Sequence, residues 1–364
     1  MPLSETHAPT AMFVRSDKIV IGLGGALVVL AGLAHFGGWN SVFAFLVAAA
    51  AMALLASLVG RSVEQLGDQF GAGATGVLQS ALGNLPELFI CIFSLKAGLV
   101  DVVQAALVGS ILANLLLVLG LAFVVGGLKH GTQQLGSERA RTIVVLMLLS
   151  VTAWVIPSLA HWVHAPASEH EQTFSVLVSV VLLGLFALSL PFALRRDSGE
   201  DAGEPEGHGI PRWPLWLAVV VLAVSAAAAA FVSDWFVVAL EPTMDSVGIS
   251  EAFAGLVVVA IAGNAVENVV GIQLAASGNS QYAFSIVLNS PIQIALVLAP
   301  VLVIVSQLFM ATTLTLVLSP MLVVSLLLAI ILAAFIAFDG ESTWLEGAAL
   351  IALYAIIATS FWWG

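Results

Sequence analysis

Apolar runs long enough to cross a lipid bilayer recur along the chain from residue 19 to its C-terminus. A helix of about 20 apolar residues spans the hydrocarbon core, so each run predicts one crossing. The runs are continuously apolar, whereas the strands of a membrane β-barrel alternate in polarity. With 60% hydrophobic and only 9% charged residues, the sequence predicts an all-α polytopic membrane protein rather than a soluble domain.

About eleven helices are predicted, and the distribution of Lys and Arg tests that number. With a cytoplasmic N-terminus, all of the Lys and Arg residues except Lys96 fall on the cytoplasmic side, where such residues collect. The C-terminus is then predicted to lie outside. The predicted helices are 19–36, 42–60, 73–97, 102–126, 141–162, 174–194, 213–239, 252–277, 281–309, 314–337 and 344–363.

An internal repeat links two distant parts of the sequence. The segment ALGNLPELFI aligns with AIAGNAVENVVGI when Gly83 is placed on Gly263, and we call this displacement the repeat offset. The same offset places VGSILANLLLVLG on LNSPIQIALVLAP. An odd number of predicted helices separates the two copies, so they enter the membrane from opposite sides. Inverted repeats of this kind are typical of secondary transporters, whose substrate sites lie where the halves meet.

The repeat and the hydrophilic segments divide the chain. We predict an inverted five-plus-five arrangement with one extra helix at the N-terminus. Residues 195–212 separate the repeats and contain five acidic residues, which suit either a solvated linker or a cytoplasmic loop that collects cations. The predicted units are a cytoplasmic tail 1–18, an extra transmembrane helix 19–36, a first repeat 42–194, an acidic cytoplasmic loop 195–212 and a second repeat 213–363.

Two glutamates, Glu87 and Glu267, occupy equivalent positions within apolar helices. An ionised carboxylate there costs roughly 3 kcal/mol or more, so each is expected to face a partner or a polar cavity. A single such residue could be hydrogen-bonded packing between helices, but the duplication favours a site. Oxygen ligands suit a hard cation such as calcium. The candidate ligands are Glu87, Glu267, Asn84, Asn264, Ser110, Ser290, Gln293 and Asn114.

The same carboxylates suggest how cation movement is coupled to protons. Desolvation raises the proton affinity of a buried glutamate and a bound cation lowers it, so the two ions compete. Two protons leaving two glutamates would balance one divalent ion. We expect no cofactor, because calcium and protons are the transported ions, and we expect the lipid bilayer but no nucleic acid as a partner.

These motifs resemble the calcium/cation antiporter superfamily, and within it the cation/proton exchangers, over nearly the whole chain. The resemblance implies calcium export from the cytosol, with Glu87 and Glu267 binding the ion and helices 2 and 7 sliding to alternate access. Three positions depart from the pattern: Asn268 stands where a His commonly follows the second Glu, Asn289 replaces a Gly before Ser290, and Pro86 is similar to the sodium-coupled branch.

Calcium:proton antiport is therefore the predicted function, and a sodium-coupled calcium or sodium/proton exchanger is the alternative. An intramembrane enzyme is disfavoured, since no nucleophile-base pair, catalytic metal motif or nucleotide loop accompanies the glutamates. A passive channel is a further alternative, which predicts flux without saturation. An excess of Arg over Lys suggests a prokaryotic inner membrane.

Overall fold

A computed structural model describes residues 12–70, 78, 82–135, 138–196 and 212–363, and every structural statement below concerns these residues. The side chains of residues 70, 138–140, 191–196 and 265–267 lie outside the description. Most of the predicted cytoplasmic tail and of the acidic loop 195–212 is likewise outside it.

Nearly all of the described residues are helical. Eight helices are long and apolar enough to cross a membrane, or up to nine when the bent pair α8–α9 is one span, counting only the described residues. The helices are α1 Arg15–Phe36, α2 Ser41–Phe70, α3 Leu85–Lys96, α4 Val100–His130, α5 Glu138–Trp162, α6 Glu171–Arg196, α7 Leu215–Val247, α8 Glu251–Gly263, α9 Ala265–Ala276, α10 Ser280–Phe309, α11 Pro320–Asp339 and α12 Trp344–Ser360.

Short elements connect some of these helices. A 3₁₀ helix at Pro166–His170 precedes α6. The strands β1, Gln133–Gln134, and β2, Glu341–Ser342, pair antiparallel and join the loop after α4 to the loop after α11. The predicted helices overlap helical segments, but the predicted helix 252–277 is divided at Asn264 into α8 and α9, and of the predicted segment 73–97 the structure describes mainly α3.

One predicted helix begins later than expected. We predict a helix from residue 314, but α11 begins at Pro320, and the residues before it are extended and partly buried. Serine hydroxyls from three helices and the amide of Gln104 bind this extended backbone, which satisfies groups that a helix would pair internally. The bonds run from Leu314 N to Ser306, from Leu316 N to Ser175, from Leu318 N to Ser158, and from Gln104 to the carbonyls of Thr315 and Val317.

The buried apolar side chains form two large clusters. One cluster, which we call the scaffold core, contains residues of α3 to α6 and of α10 to α12. The other, the paired-helix core, is centred on α2 and α7 and includes Ala31 of α1. Residues of α3, α4 and α8, among them Ile90, Val102 and Val259, also belong to the second cluster. The site described below lies where these helices meet.

The backbone repeats with the same offset that relates the sequence motifs. Helix α3 and helix α9 begin and end at equivalent positions, and both follow an asparagine with nearly the same conformation. The backbone angles are φ −94° and ψ 16° at Asn84, and φ −106° and ψ 15° at Asn264. The glycines after the two helices, Gly98 and Gly278, have φ of 86° and 87°, which only glycine adopts readily.

The helices that follow repeat as well. Val100 and Ser280, which begin α4 and α10, are again related by the repeat offset. Each of these helices widens into a π-helix, at Ala113–Val118 and at Ile294–Leu298. A π-helical segment leaves the usual hydrogen-bond ladder and is often found at functional sites. The repeated sequence therefore produces a repeated backbone.

Candidate functional site

Glu87 lies in the first turn of α3, directly after the break at Gly83 and Asn84. Pro86 suits this turn because its missing N–H would have no partner within the helix. The residue is 1% exposed, although it carries a carboxyl group. The hydroxyl of Ser110 donates a hydrogen bond to its Oε1. Gly263, from the second half of the chain, packs on the same side chain, since a β-carbon there would lie 3.4 Å from Cβ of Glu87.

Four further predicted residues are hydrogen-bonded into one group beside Glu87. The amide of Asn264 donates to the Ser110 hydroxyl at 2.9 Å, across 154 residues of sequence. The Ser290 hydroxyl lies 3.4 Å from Oδ1 of Asn264, and it accepts from the Asn114 amide at 3.5 Å. All four side chains are 3% exposed or less. The group joins helices of both halves to Glu87, and we call it the amide–hydroxyl network.

Two glycines allow this network to form, because they bring α4 and α8 into backbone contact. A β-carbon on Gly109 would lie 2.3 Å from the carbonyl oxygen of Leu256, and one on Gly255 would lie 2.2 Å from that of Val102. No side chain fits in those spaces. Ser110 follows Gly109 directly, so the close crossing brings its hydroxyl within reach of Asn264 at the end of α8.

The first π-helix contributes a side chain to the network, and the second follows a proline in the equivalent helix. Asn114 lies in the first π-helix, and its side-chain amide donates to the carbonyl of Ser110 at 2.9 Å. In α10, Pro291 cannot donate a backbone hydrogen bond and precedes the second π-helix by three residues. Oδ1 of Asn114 is buried and accepts no hydrogen bond from the described residues. Buried polar atoms are nearly always satisfied, so this oxygen is available to a cation.

The remaining predicted ligands are placed with less detail. Asn84 is half-buried at the break before α3, and Gln293 is 3% exposed on α10, three residues after Ser290. Glu267 lies in the first turn of α9, equivalent to Glu87 in α3, but its side chain is outside the description. Oδ1 of the neighbouring Asn268 is buried without a partner among the described residues.

The sequence motifs alone missed the packing roles of Gly109, Gly255 and Gly263. For Gly109 and Gly263 the sequence did contain a signal, because each directly precedes a polar motif residue, Ser110 or Asn264. The described part of the chain contains no group of three or more His, Cys, Asp or Glu side chains able to hold a metal. At the junction of α5 and α6, His161 in the last turn of α5 pairs with Glu171, the first residue of α6. The network around Glu87 therefore consists of carboxylate, amide and hydroxyl groups, which suit a hard cation.

Comparison of the sequence with known proteins assigns the chain to a family. The family model of the sodium/calcium exchanger protein matches residues 40–195 and 217–363, which is more than half of the chain. The chain is 36% identical over 346 residues to the Ca²⁺/H⁺ antiporter of Synechocystis sp., with 90% of this chain and 93% of that protein covered. It is also 36% identical to the Ca²⁺/H⁺ antiporter ChaA of Bacillus subtilis, covering 94% and 97%.

A solved structure has the same fold. The structure of native YfkE superimposes with a TM-score of 0.80 at 34% sequence identity, and the match covers 94% of this chain and 99% of that one. The two curated relatives and the family model thus agree with the resemblance that the motifs GNLPELFI and GNAVEN carry. This chain belongs to the sodium/calcium exchanger protein family.

Proposed function

We propose that this chain is a calcium:proton antiporter that works by alternating access. The amide–hydroxyl network carries the proposal, because it joins oxygen-bearing side chains of both halves to the buried carboxyl group of Glu87. The two curated relatives at 36% identity are named Ca²⁺/H⁺ antiporters, which favours protons over sodium as the coupling ion. Calcium and protons are the transported ions, and the assignment needs no catalytic step.

Glu87 and Glu267 are the two carboxylates of the proposed site. The equivalent backbone positions of α3 and α9 support this pairing, as do the similar breaks at Asn84 and Asn264. Ser110, Ser290, Asn114 and Gln293 supply further oxygen atoms from α4 and α10. Protons and calcium compete for the carboxylates, so loading one ion releases the other. Exchange of two protons for one calcium keeps the net charge of the loaded site constant.

The topology we propose has about eleven crossings, an inverted five-plus-five repeat and one extra helix. Contacts between loops support it, since each joins segments that this topology puts on one side of the membrane. On the proposed cytoplasmic side, Asp17 pairs with Arg61 and Arg212, β1 pairs with β2, and His130 lies 3.1 Å from the carbonyl of Ala276. On the outer side, Ser250 binds the carbonyls of Phe361 and Trp362.

Alternating access requires one group of helices to move against another. In the paired-helix core, α2 and α7 pack on apolar residues of α3, α4 and α8, and this apolar contact supports movement of α2 and α7 across those helices. We place the protein in a prokaryotic inner membrane, with a cytoplasmic N-terminus and export of calcium as its direction. The acidic residues of the 195–212 loop then face the cytosol.

Exchange in proteoliposomes tests the function. An imposed pH gradient should drive radioactive calcium uptake by the native chain, and Glu87→Gln or Glu267→Gln should lower the rate about a hundredfold or more, because each removes a charged ligand. Glu241→Gln is the matched control: this exposed carboxylate in α7 lies outside the site and should leave the rate unchanged.

Three results would contradict the proposal. If either glutamine variant exchanged calcium at the native rate, that glutamate would not belong to the ion site. If a sodium gradient drove calcium uptake and a pH gradient did not, sodium would be the coupling ion. Calcium flux that fails to saturate and needs no counter-ion would indicate a channel. Exchange that changes with membrane potential would overturn only the proposed stoichiometry of two protons per calcium.

A further inference from the structure

A buried carboxylate outside the proposed ion site connects three helices at the cytoplasmic end. Asp17, in the first turn of α1, is 0% exposed. Its Oδ1 accepts from Nη1 of Arg61 in α2 at 2.6 Å, and its Oδ2 lies 3.4 Å from Nη1 of Arg212, just before α7. The two arginine side chains are only 29% and 30% exposed. One carboxylate therefore lies between two cations that belong to different helices.

Neighbouring contacts strengthen this connection. Oε1 of Gln65 in α2 accepts from the backbone N–H groups of Arg212 and Trp213, at 2.9 Å and 3.1 Å. Gln69 donates to the carbonyl of Trp213 at 2.9 Å, and the ring of Trp213 packs against Phe13 at 5.6 Å between centroids. The turn that leads into α7 is thus held by side chains of α2 and by the segment before α1.

Helix α1 also contacts the same two helices away from this cluster. Near its middle, Gly24 packs on Leu54 of α2. Near its other end, a β-carbon on Gly32 would lie 3.1 Å from the ring of Trp235 in α7, and the ring of His35 stacks on Trp235 at 5.8 Å. Helix α1 is therefore attached to α2 and α7 along its whole length.

The contacts of α1, α2 and α7 with the other helices differ from the charged contacts around Asp17. Where α2 and α7 pack on α3, α4 and α8, the paired-helix core supplies apolar residues of those three helices, such as Ile90, Ala106 and Val259. Apolar surfaces can slide over one another without breaking hydrogen bonds. By contrast, movement of α2 and α7 relative to α1 would strip Asp17 of its arginines, and a buried carboxylate without partners is strongly unfavourable.

We propose that Asp17 is a positioning residue that makes α1, α2 and α7 one moving body during exchange. Its carboxylate attracts both Arg61 and Arg212, whose like charges would otherwise repel, and so holds the cytoplasmic ends of α2 and α7 together. This inference rests on the proposed exchange activity, since it concerns the movement that delivers the ion. It assigns the extra N-terminal helix to the moving group.

A crosslink between α1 and α2 tests the inference. A β-carbon on Gly24 would lie 3.6 Å from Cβ of Leu54, a separation that a disulfide accepts. The pair Gly24→Cys and Leu54→Cys, in a Cys91→Ala background, should therefore oxidise to a disulfide and still exchange calcium for protons at the rate of its reduced form. Loss of exchange on oxidation, with the two single-cysteine variants unaffected, would overturn the inference, as would failure of the pair to crosslink.

A second variant separates positioning from folding. Asp17→Asn should lower the maximal exchange rate about tenfold per folded protein, with the half-saturating calcium concentration unchanged within about twofold, because the ion site is intact. Asp17→Glu should recover part of the rate, because it returns a carboxylate to the position between the two arginines. Asp339→Asn removes an exposed carboxylate at the same end and is the control.

These outcomes also separate the inference from the proposed function. If Asp17→Asn exchanges at the native rate, or if Asp17→Glu recovers none of the lost rate, Asp17 does not position these helices, although the antiport activity stands. If the native chain shows no exchange under a pH gradient, the proposed function itself fails.

Discussion

The two repeats of this chain share a backbone but differ in the side chains placed on it. Helices α3 and α9 have equivalent ends, and α4 and α10 both widen into π-helices. Yet Asn114 of the first π-helix corresponds to Ile294 in the second, and Gly109 corresponds to Asn289. Asn264 is 2% exposed, whereas its counterpart Asn84 is half-buried.

This difference indicates that the duplication fixes where the site lies, while departures from symmetry decide which residues hold it. The Ser110 hydroxyl donates to Glu87 and accepts from Asn264 of the other half. The described partners of the equivalent Ser290 are Asn264 and Asn114. We therefore expect equivalent substitutions in the two halves to have unequal effects, and four comparisons test this.

The largest difference is expected between Gly109→Ala and Asn289→Ala. The new methyl group at position 109 meets backbone atoms of Leu256 and forces α4 away from α8. A shift of about 1 Å in the ligands can lower a rate about a hundredfold, which is the loss we expect in proteoliposome exchange. Asn289→Ala only shortens a side chain and should retain most of the activity. Equal activities would show that the close crossing at Gly109 does not set the site.

The second comparison is between Ser110→Ala and Ser290→Ala. Loss of the Ser110 hydroxyl removes the donor to Glu87 and leaves the Asn264 amide without that acceptor. A buried polar group left unsatisfied costs about 1–3 kcal/mol, so the half-saturating calcium concentration should rise about tenfold or more. Ser290→Ala should raise it about threefold, since its two hydrogen bonds are long. A larger effect at Ser290 would reverse the asymmetry.

The third comparison concerns Asn114, which has an apolar counterpart in Ile294. Asn114→Leu keeps a similar volume but loses the bonds to the Ser110 carbonyl and to Ser290. The expected result is an exchange rate about fivefold lower, corresponding to about 1 kcal/mol for the bond to the Ser110 carbonyl, because the bond to Ser290 is at the length limit. Ile294→Leu conserves volume and should change the rate by less than about twofold. If Asn114→Leu exchanged calcium at the native rate, Asn114 would contribute only to helix packing.

The smallest effect is expected at Cys91, whose counterpart is Gly271. Cys91 is 1% exposed in the scaffold core, one turn after Glu87. Cys91→Ala removes one buried atom, so unfolding should become easier by about 1 kcal/mol, while the exchange rate stays within about twofold of native. Thermal unfolding in detergent and proteoliposome flux measure the two effects. If Cys91→Ala strongly lowered calcium flux, the face of α3 that carries Cys91 would be involved in transport.

The sequence predicted the helices well where the signal was local. Apolar runs located the long spans, and the repeat offset aligned the motifs at which α3 and α9 begin, although the predicted helices 73–97 and 252–277 run through the breaks before them. It was wrong about the segment from residue 314, which is extended up to Pro320. That segment is continuous with the apolar run that predicts the helix, but serine hydroxyls from α5, α6 and α10 supply its hydrogen bonds. Such partners are distant in sequence, so no local pattern reveals them.

For the candidate site, the sequence identified Glu87, Ser110, Asn114, Asn264 and Ser290, because polar residues that recur in apolar helices stand out. The sequence by itself determined the membrane class, the family and this set of polar residues. Only the tertiary structure decided that Ser110 binds Glu87 and Asn264, and that Asp17 lies between two arginines. Those contacts depend on backbones that touch at glycines and on residues separated by as many as 195 positions, which composition and periodicity do not encode.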